Sequence, residues 1–236
     1  MNKDNNKKKI FVMANVIKMI FILIFDLFYM FKGVLLFKSV DSIMFVATGI
    51  INFMYCIKNK ANLKFPIWML IALIFAMLGD ILLLINFYIG TAAFAVGHIF
   101  YFVSYCMLER INRRDFMCGI SILVFSLAII LFTPFLKFEN NFMQGVCCVY
   151  AIIISFMVGK AISNLLNEKN SASKIIAIGS ILFFISDFML MLDKFGGISV
   201  ASYLCLGTYY PAQFLLAFTL FIYSPINSLK QEKVAV

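Results

Sequence analysis

Apolar and polar positions alternate along this chain in blocks of about 20 residues, the length a helix needs to cross a bilayer. Eight runs rich in Ile, Leu, Phe, Met and Val lie at approximately 10–30, 40–57, 65–85, 88–109, 115–135, 141–163, 174–192 and 199–224, cut by short polar or Gly/Pro-containing breaks. The period-2 alternation of a membrane barrel is missing. In lipid every backbone N–H and C=O must be satisfied internally, so the runs predict helices. The expected fold is all-α: one domain over residues 1–236, a polytopic membrane bundle of eight transmembrane helices. The longest internal break, about 163–173, divides it into two sets of four.

Composition agrees. Hydrophobic residues make up 64% and charged residues 13%, and the mean hydropathy is +1.00, too little polar surface to coat a soluble globule. The basic N-terminus runs into a segment of full spanning length without a small-residue cleavage site, so it reads as a first helix, not a cleavable signal. The six cysteines, Cys56, Cys106, Cys118, Cys147, Cys148 and Cys205, form no CxxC and accompany no His cluster; they read as small hydrophobes.

The net charge of +9 sits in short breaks, not on a face interleaved with aromatics, which speaks against nucleic acid and for membrane topology. With the N-terminus cytoplasmic, fifteen of the twenty cations fall on the cytoplasmic side: Lys3, Lys7, Lys8, Lys9, Lys58, Lys60, Lys64, Arg110, Arg113, Arg114, Lys160, Lys169, Lys174, Lys230 and Lys233. Lys32, Lys38, Lys137 and Lys194 fall opposite, and Lys18 lies inside the first span. The bias predicts cytoplasmic termini. Frequent Phe, Lys and Asn point to an AT-rich bacterial genome and hence to a bacterial cell membrane.

Two acidic residues break the apolar pattern. Asp80, in Met77-Leu78-Gly79-Asp80-Ile81, and Asp187, in Phe184-Ile185-Ser186-Asp187-Phe188, each lie about five residues before a predicted helix end, roughly 7–8 Å below the boundary at 1.5 Å per residue. A charge in such a helix costs roughly 2.5–3.5 kcal/mol on insertion scales, so each needs a partner or a function. Both occupy the third helix of a four-helix set, follow a small residue, and precede Gly90 or Gly197 by ten positions. An old duplication and coincidence both account for this. His98, the only histidine, and Tyr101 share a face of the fourth helix. The eighth carries Tyr209-Tyr210-Pro211-Ala212-Gln213, where Pro211 frees carbonyl capacity and predicts a polar kink facing a cavity. Asp41, beside Lys38, reads as solvated at the boundary; Asp26 is a reserve candidate.

These residues resemble a known family, the YhhN-like lysoplasmalogenases. The resemblance rests on Gly79-Asp80-Ile81-Leu82-Leu83, the series Gly90, Phe94, His98 and Tyr101, the segment Gly179, Phe183, Ser186-Asp187 with Phe195, and Tyr209-Tyr210-Pro211-Ala212-Gln213. The chain departs after the second aspartate, with Phe188-Met189-Leu190-Met191 where the family often has small residues. The resemblance implies an eight-helix membrane hydrolase that cleaves the alkenyl ether of a lysoplasmalogen to a fatty aldehyde and a glycerophospho-alcohol. It further implies Asp80 and Asp187 as the catalytic pair, with His98, Tyr210 and Gln213 in the same pocket; Tyr101, Ser186 and Tyr209 complete the expected substrate surroundings.

Such chemistry needs a proton donor to carbon and an anion facing the resulting oxocarbenium ion, which two carboxyls in a membrane cavity supply. The Phe183, Phe184 and Phe188 flanks of Asp187 favour it as the acid. One His and two separated Asp make no persuasive metal set, so no cofactor is expected. The expected partners are the lysophospholipid substrate and membrane lipids, without nucleic acid or a protein partner. A proton-coupled transporter is the leading rival reading; a lipid-binding or assembly subunit without chemistry is the third.

Overall fold

The computed structural model describes residues 2–32 and 35–234, with side chains except those of residues 2–5, 7–8, 32, 35–36 and 224–234. Of the cations used to orient the chain, Lys3, Lys7, Lys8, Lys32, Lys230 and Lys233 have side chains outside the described residues. Among the described residues the elements are all helices: α1 (Asn2–Lys32), α2 (Leu35–Lys58), α3 (Lys64–Leu83), α4 (Phe87–Leu108), α5 (Arg113–Phe132), α6 (Asn141–Asn167), α7 (Ser171–Gly196) and α8 (Val200–Val234). All eight are long and apolar enough to cross a membrane, and the protein is an integral multi-pass membrane protein.

The polar breaks set where the helices start. Asn86, Asn112, Asn140 and Asn170 are the N-caps of α4, α5, α6 and α7, each side chain accepting from an otherwise orphaned first-turn N–H. Such a cap stabilises by about 1 kcal/mol. Asn112 goes further and forms a capping box with Asp115. At the other end of α7, Gly197 adopts a left-handed φ of 66° and stops the helix.

Neighbouring helices pack in sequence within each set of four: α1 on α2, α2 on α3 and α3 on α4, then α5 on α6, α6 on α7 and α7 on α8. The sets meet through α2 on α8 and α4 on α6, which are corresponding pairs under a shift of four helices. The arrangement is that of two like halves, although α8 also touches α1 and α3 without a counterpart. Close approach in the α3–α4 hairpin depends on Gly90, where a Cβ would lie 2.6 Å from the Leu83 backbone nitrogen. Side-chain hydrogen bonds tie the halves together: Asn52 donates to the Ala217 carbonyl (2.9 Å), Tyr101 to Gln213 Oε1 (2.7 Å), and Asn164 to the Tyr105 carbonyl (3.0 Å). Interhelical bonds of this type contribute about 0.6–2 kcal/mol each in membranes.

Three boundaries differ from the sequence reading in ways that matter. Helix α2 begins at Leu35, so Lys38 and Asp41 are inside it. Asp41 is 0% exposed with both carboxylate oxygens unpartnered, which corrects its assignment as a solvated boundary residue. Asp26 is buried too. Helix α7 runs to Gly196, nine residues beyond Asp187, whereas α3 ends at Leu83, three beyond Asp80. The two aspartates therefore sit at different distances from their helix ends, because the chain stops at the Gly197 cap and not at the earlier polar Asp193-Lys194. The expected kink does not interrupt α8, which runs through Pro211 as one helix. Lys160, counted among the cytoplasmic cations, is 0% exposed inside α6 and pairs with Asp115 at 2.9 Å.

Candidate active site

Each aspartate is held by groups from the same two relative positions in the bundle. Asp80 on α3 is partnered by α2 and α8; Asp187 on α7 is partnered by α6 and α4. The chemistry of the partners differs. Lys38 Nζ lies 2.9 Å from Asp80 Oδ1, Tyr210 donates to Asp80 Oδ2 at 2.9 Å, and Ser42 donates to the same oxygen. Both oxygens of Asp80 are occupied, one by a full positive charge. The ion pair gives this intramembrane carboxylate the counter-charge it needs.

Asp187 has no lysine or arginine ion-pair partner among the described residues. Tyr150 donates to its Oδ2 at 2.6 Å, and His98 Nε2 lies 3.0 Å from the same oxygen and 2.7 Å from the Tyr150 hydroxyl. Tyr150 has one proton and gives it to Asp187, so its oxygen accepts from His98. That assigns a hydrogen to Nε2; Nδ1 is buried and unpartnered. Oδ2 is thus anchored, while Asp187 Oδ1 has no hydrogen-bond partner among the described residues.

Both aspartates line one cavity of about 140 Å³, together with Lys38, Phe94, Ser186, Leu190, Asp193, Ser202, Cys205 and Tyr209. The carboxylates and Lys38 on its wall offer partners to water, and its volume has room for several. On the far side of Phe94, Asp187 and Leu190, which border both spaces, lies an apolar slot between α4, α5, α6 and α7. Its other walls include Phe184, Phe188, Ile154 and Ile130. From Phe184 to Phe195 the slot follows α7 for about 16 Å at the helical rise.

Of the residues expected around the substrate, Ser186 and Tyr209 line the cavity with the two aspartates. Tyr210 and His98 stand behind the carboxylates as hydrogen-bond partners. Tyr101 and Gln213 bond each other in the buried core and do not line the cavity; the expectation of Gln213 as a pocket residue is corrected to a tie between α4 and α8. Tyr101 packs on Phe183, whose ring also packs on His98, Phe94 and Tyr209. Sequence reasoning misses Lys38, Ser42 and Tyr150 as site residues. The hydropathy pattern leaves Lys38 in a loop, although its spacing from Ser42 is one helical turn; Tyr150 has no motif around it.

Residues 16–220 match the YhhN family. The chain belongs to that family. YhhN is the lysoplasmalogenase family, and the match spans most of the chain, from the middle of α1 to Leu220 in α8. No curated protein and no solved structure matches the chain. The YhhN match includes all of the residues around the two carboxylates, Lys38 and Tyr150 among them.

Proposed function

We infer that this YhhN protein hydrolyses the vinyl ether of a single-chain lysoplasmalogen, with Asp187 as the proton donor and Asp80 as the fixed anion. The observation that carries the reading is the unequal partnering of two carboxylates on one cavity. Asp80 faces the ammonium of Lys38 and has neither oxygen free to exchange a proton. Asp187 is held by one oxygen and keeps Oδ1 for the reaction.

In the proposed sequence, Asp187 Oδ1–H protonates the vinyl carbon β to the ether oxygen, the one that carries the alkyl chain, and the ether oxygen stabilises the oxocarbenium ion that forms at the other. The Asp80 carboxylate and the newly ionised Asp187 face that cation. A cavity water adds to the oxocarbenium carbon and returns a proton to Asp187. The hemiacetal then breaks its C–O bond to the glycerol oxygen, its hydroxyl proton passing through Asp187 to that oxygen, and releases fatty aldehyde and glycerophospho-alcohol. One water is consumed, and the acid ends as it began. His98 and Tyr150 act through Asp187, holding its Oδ2 by hydrogen bonds that strengthen when the carboxyl ionises.

The slot supports a lipid substrate. A hydrocarbon chain suits the apolar slot beside Phe184 and Phe188, while the glycerophosphate stays in the cavity that Lys38 lines. On the side opposite the expected cytoplasmic termini the sequence offers Lys137 and Lys194 as further cations for a phosphate. Lys194 instead lies over the Phe87 ring. The unbroken α3, α4, α7 and α8 weigh against a carrier, which more often has interrupted helices at matching positions in its halves.

The test is incubation of purified protein with a lysoplasmalogen and with its saturated ether analogue. Aldehyde should form from the alkenyl ether only. Full turnover by both Asp80→Asn and Asp187→Asn would sink the assignment.

A further inference from the structure

We propose that Asp193 receives the ammonium group of the substrate's headgroup, so that the cavity selects lipids ending in a primary amine over those ending in a bare phosphate. The proposal rests on the hydrolase reading for what occupies the cavity. Ser186, Leu190 and Asp193 fall at i, i+4 and i+7 on α7 and line the cavity as one stripe. Asp193 is six residues beyond Asp187, about 9 Å along the helix toward the Gly197 cap. A headgroup reaching from a vinyl ether at Asp187 through glycerol and phosphate covers that span with bonds of about 1.5 Å each and slack to bend.

Charge points the same way. The cavity wall carries one cation, Lys38, paired with Asp80; with Asp187 protonated as the acid, the charge left unbalanced is the carboxylate of Asp193. Among the described residues nothing forms an ion pair or hydrogen bond with the Asp193 carboxylate, and the neighbouring Lys194 ammonium lies 5.6 Å from the Phe87 ring centroid. A half-buried, unpaired carboxylate at the mouth of a negatively biased cavity attracts a cation and repels a second anion. Ser202 also lines this wall, and its hydroxyl proton is given to the Ser199 carbonyl, which leaves its oxygen as an acceptor. A carboxylate and a hydroxyl acceptor suit an N–H donor, hence a primary ammonium and not a trimethylammonium, which recruits aromatic faces instead.

The experiment measures binding of saturated 1-alkyl ether lysolipids to purified full-length protein by calorimetry in detergent, so that it does not depend on turnover. Three probes share one chain and end in phosphoethanolamine, phosphocholine or phosphate. The native protein is expected to bind the ethanolamine form about tenfold tighter than the phosphate form, with choline between. Asp193→Asn should reduce that preference to within about twofold without weakening the phosphate form, and Asp193→Glu should retain it. Equal weakening of all three probes by Asp193→Asn, or an unchanged preference, would overturn the assignment. If the preference follows Asp193 but the alkenyl ether is not cleaved, the headgroup site stands and the hydrolase reading falls. Cleavage without any headgroup preference would keep the hydrolase reading and remove the headgroup site.

Discussion

Gly79 and Phe94 touch so closely that a Cβ on Gly79 would lie 2.7 Å from Phe94 Cγ. The small residue before Asp80 is therefore a seat for the ring that borders both the cavity of the two aspartates and the apolar slot. Gly79→Ala must displace that ring, and overpacking of this kind costs about 1–3 kcal/mol. The expected result is a lowered melting temperature with a larger fall in aldehyde release than the folded fraction accounts for. A variant with both properties unchanged would remove Phe94 as a shared wall of the two spaces.

Replacing the proton donor should be the most damaging change to turnover. Asp187→Asn is expected to lower kcat by about 10²–10⁴-fold, the usual contribution of general acid catalysis. Tyr150→Phe removes one hydrogen bond from Oδ2 while keeping the carboxyl, so its loss should be smaller, about tenfold. Initial rates on an alkenyl lysolipid, normalised to folded protein, check the order.

The Lys38–Asp80 pair should reveal itself through non-additivity. Lys38→Met strands a buried carboxylate, a change of the kind that costs about 3–5 kcal/mol. Lys38→Met with Asp80→Asn should therefore melt at a higher temperature than Lys38→Met alone. Both proteins are expected to be inactive, so only the stability measurement separates them.

At the opposite end of the bundle, Lys160 and Asp115 make a second buried lysine pair. Lys160 also donates to the Arg110 carbonyl at 3.0 Å. Lys160→Met should destabilise by about 3–5 kcal/mol and leave KM and kcat of the folded fraction unchanged. A change in KM would mean that the two ends of the bundle are coupled.

The slot makes a prediction about chain length. Ala151 and Ile154 line it from α6, and Ala151→Phe narrows it without touching a polar group. Lipids with long alkenyl chains should lose kcat/KM by more than short ones, measured across a series with one headgroup. Uniform loss would place the hydrocarbon elsewhere.

Most of the architecture is legible in the hydrophobic pattern, because a bilayer imposes a length on each helix that composition alone reports. Asp80 and Asp187 are equally legible, since a carboxylate in an apolar run has few innocent explanations. Their partners are harder to see. Lys38 lies close to a predicted helix start, and a shift of five residues in that start moves it from solvent to the ion pair. Asp41 is misplaced for the same reason. Tyr150 gives no signal at all, as a tyrosine in a membrane helix is common and only the approach of α6 to α7 gives it a role. Gln213 is visible as polar, but its direction around α8 depends on packing that the sequence does not encode locally.

The likeness of the two halves has a consequence for how acidity can be divided. Two copies of a four-helix subunit related by a symmetry axis would present identical carboxylates, each obliged to share the fate of the other. Joining the halves in one polypeptide lifts that degeneracy, since a lysine can be installed beside one acid and a histidine beside its twin.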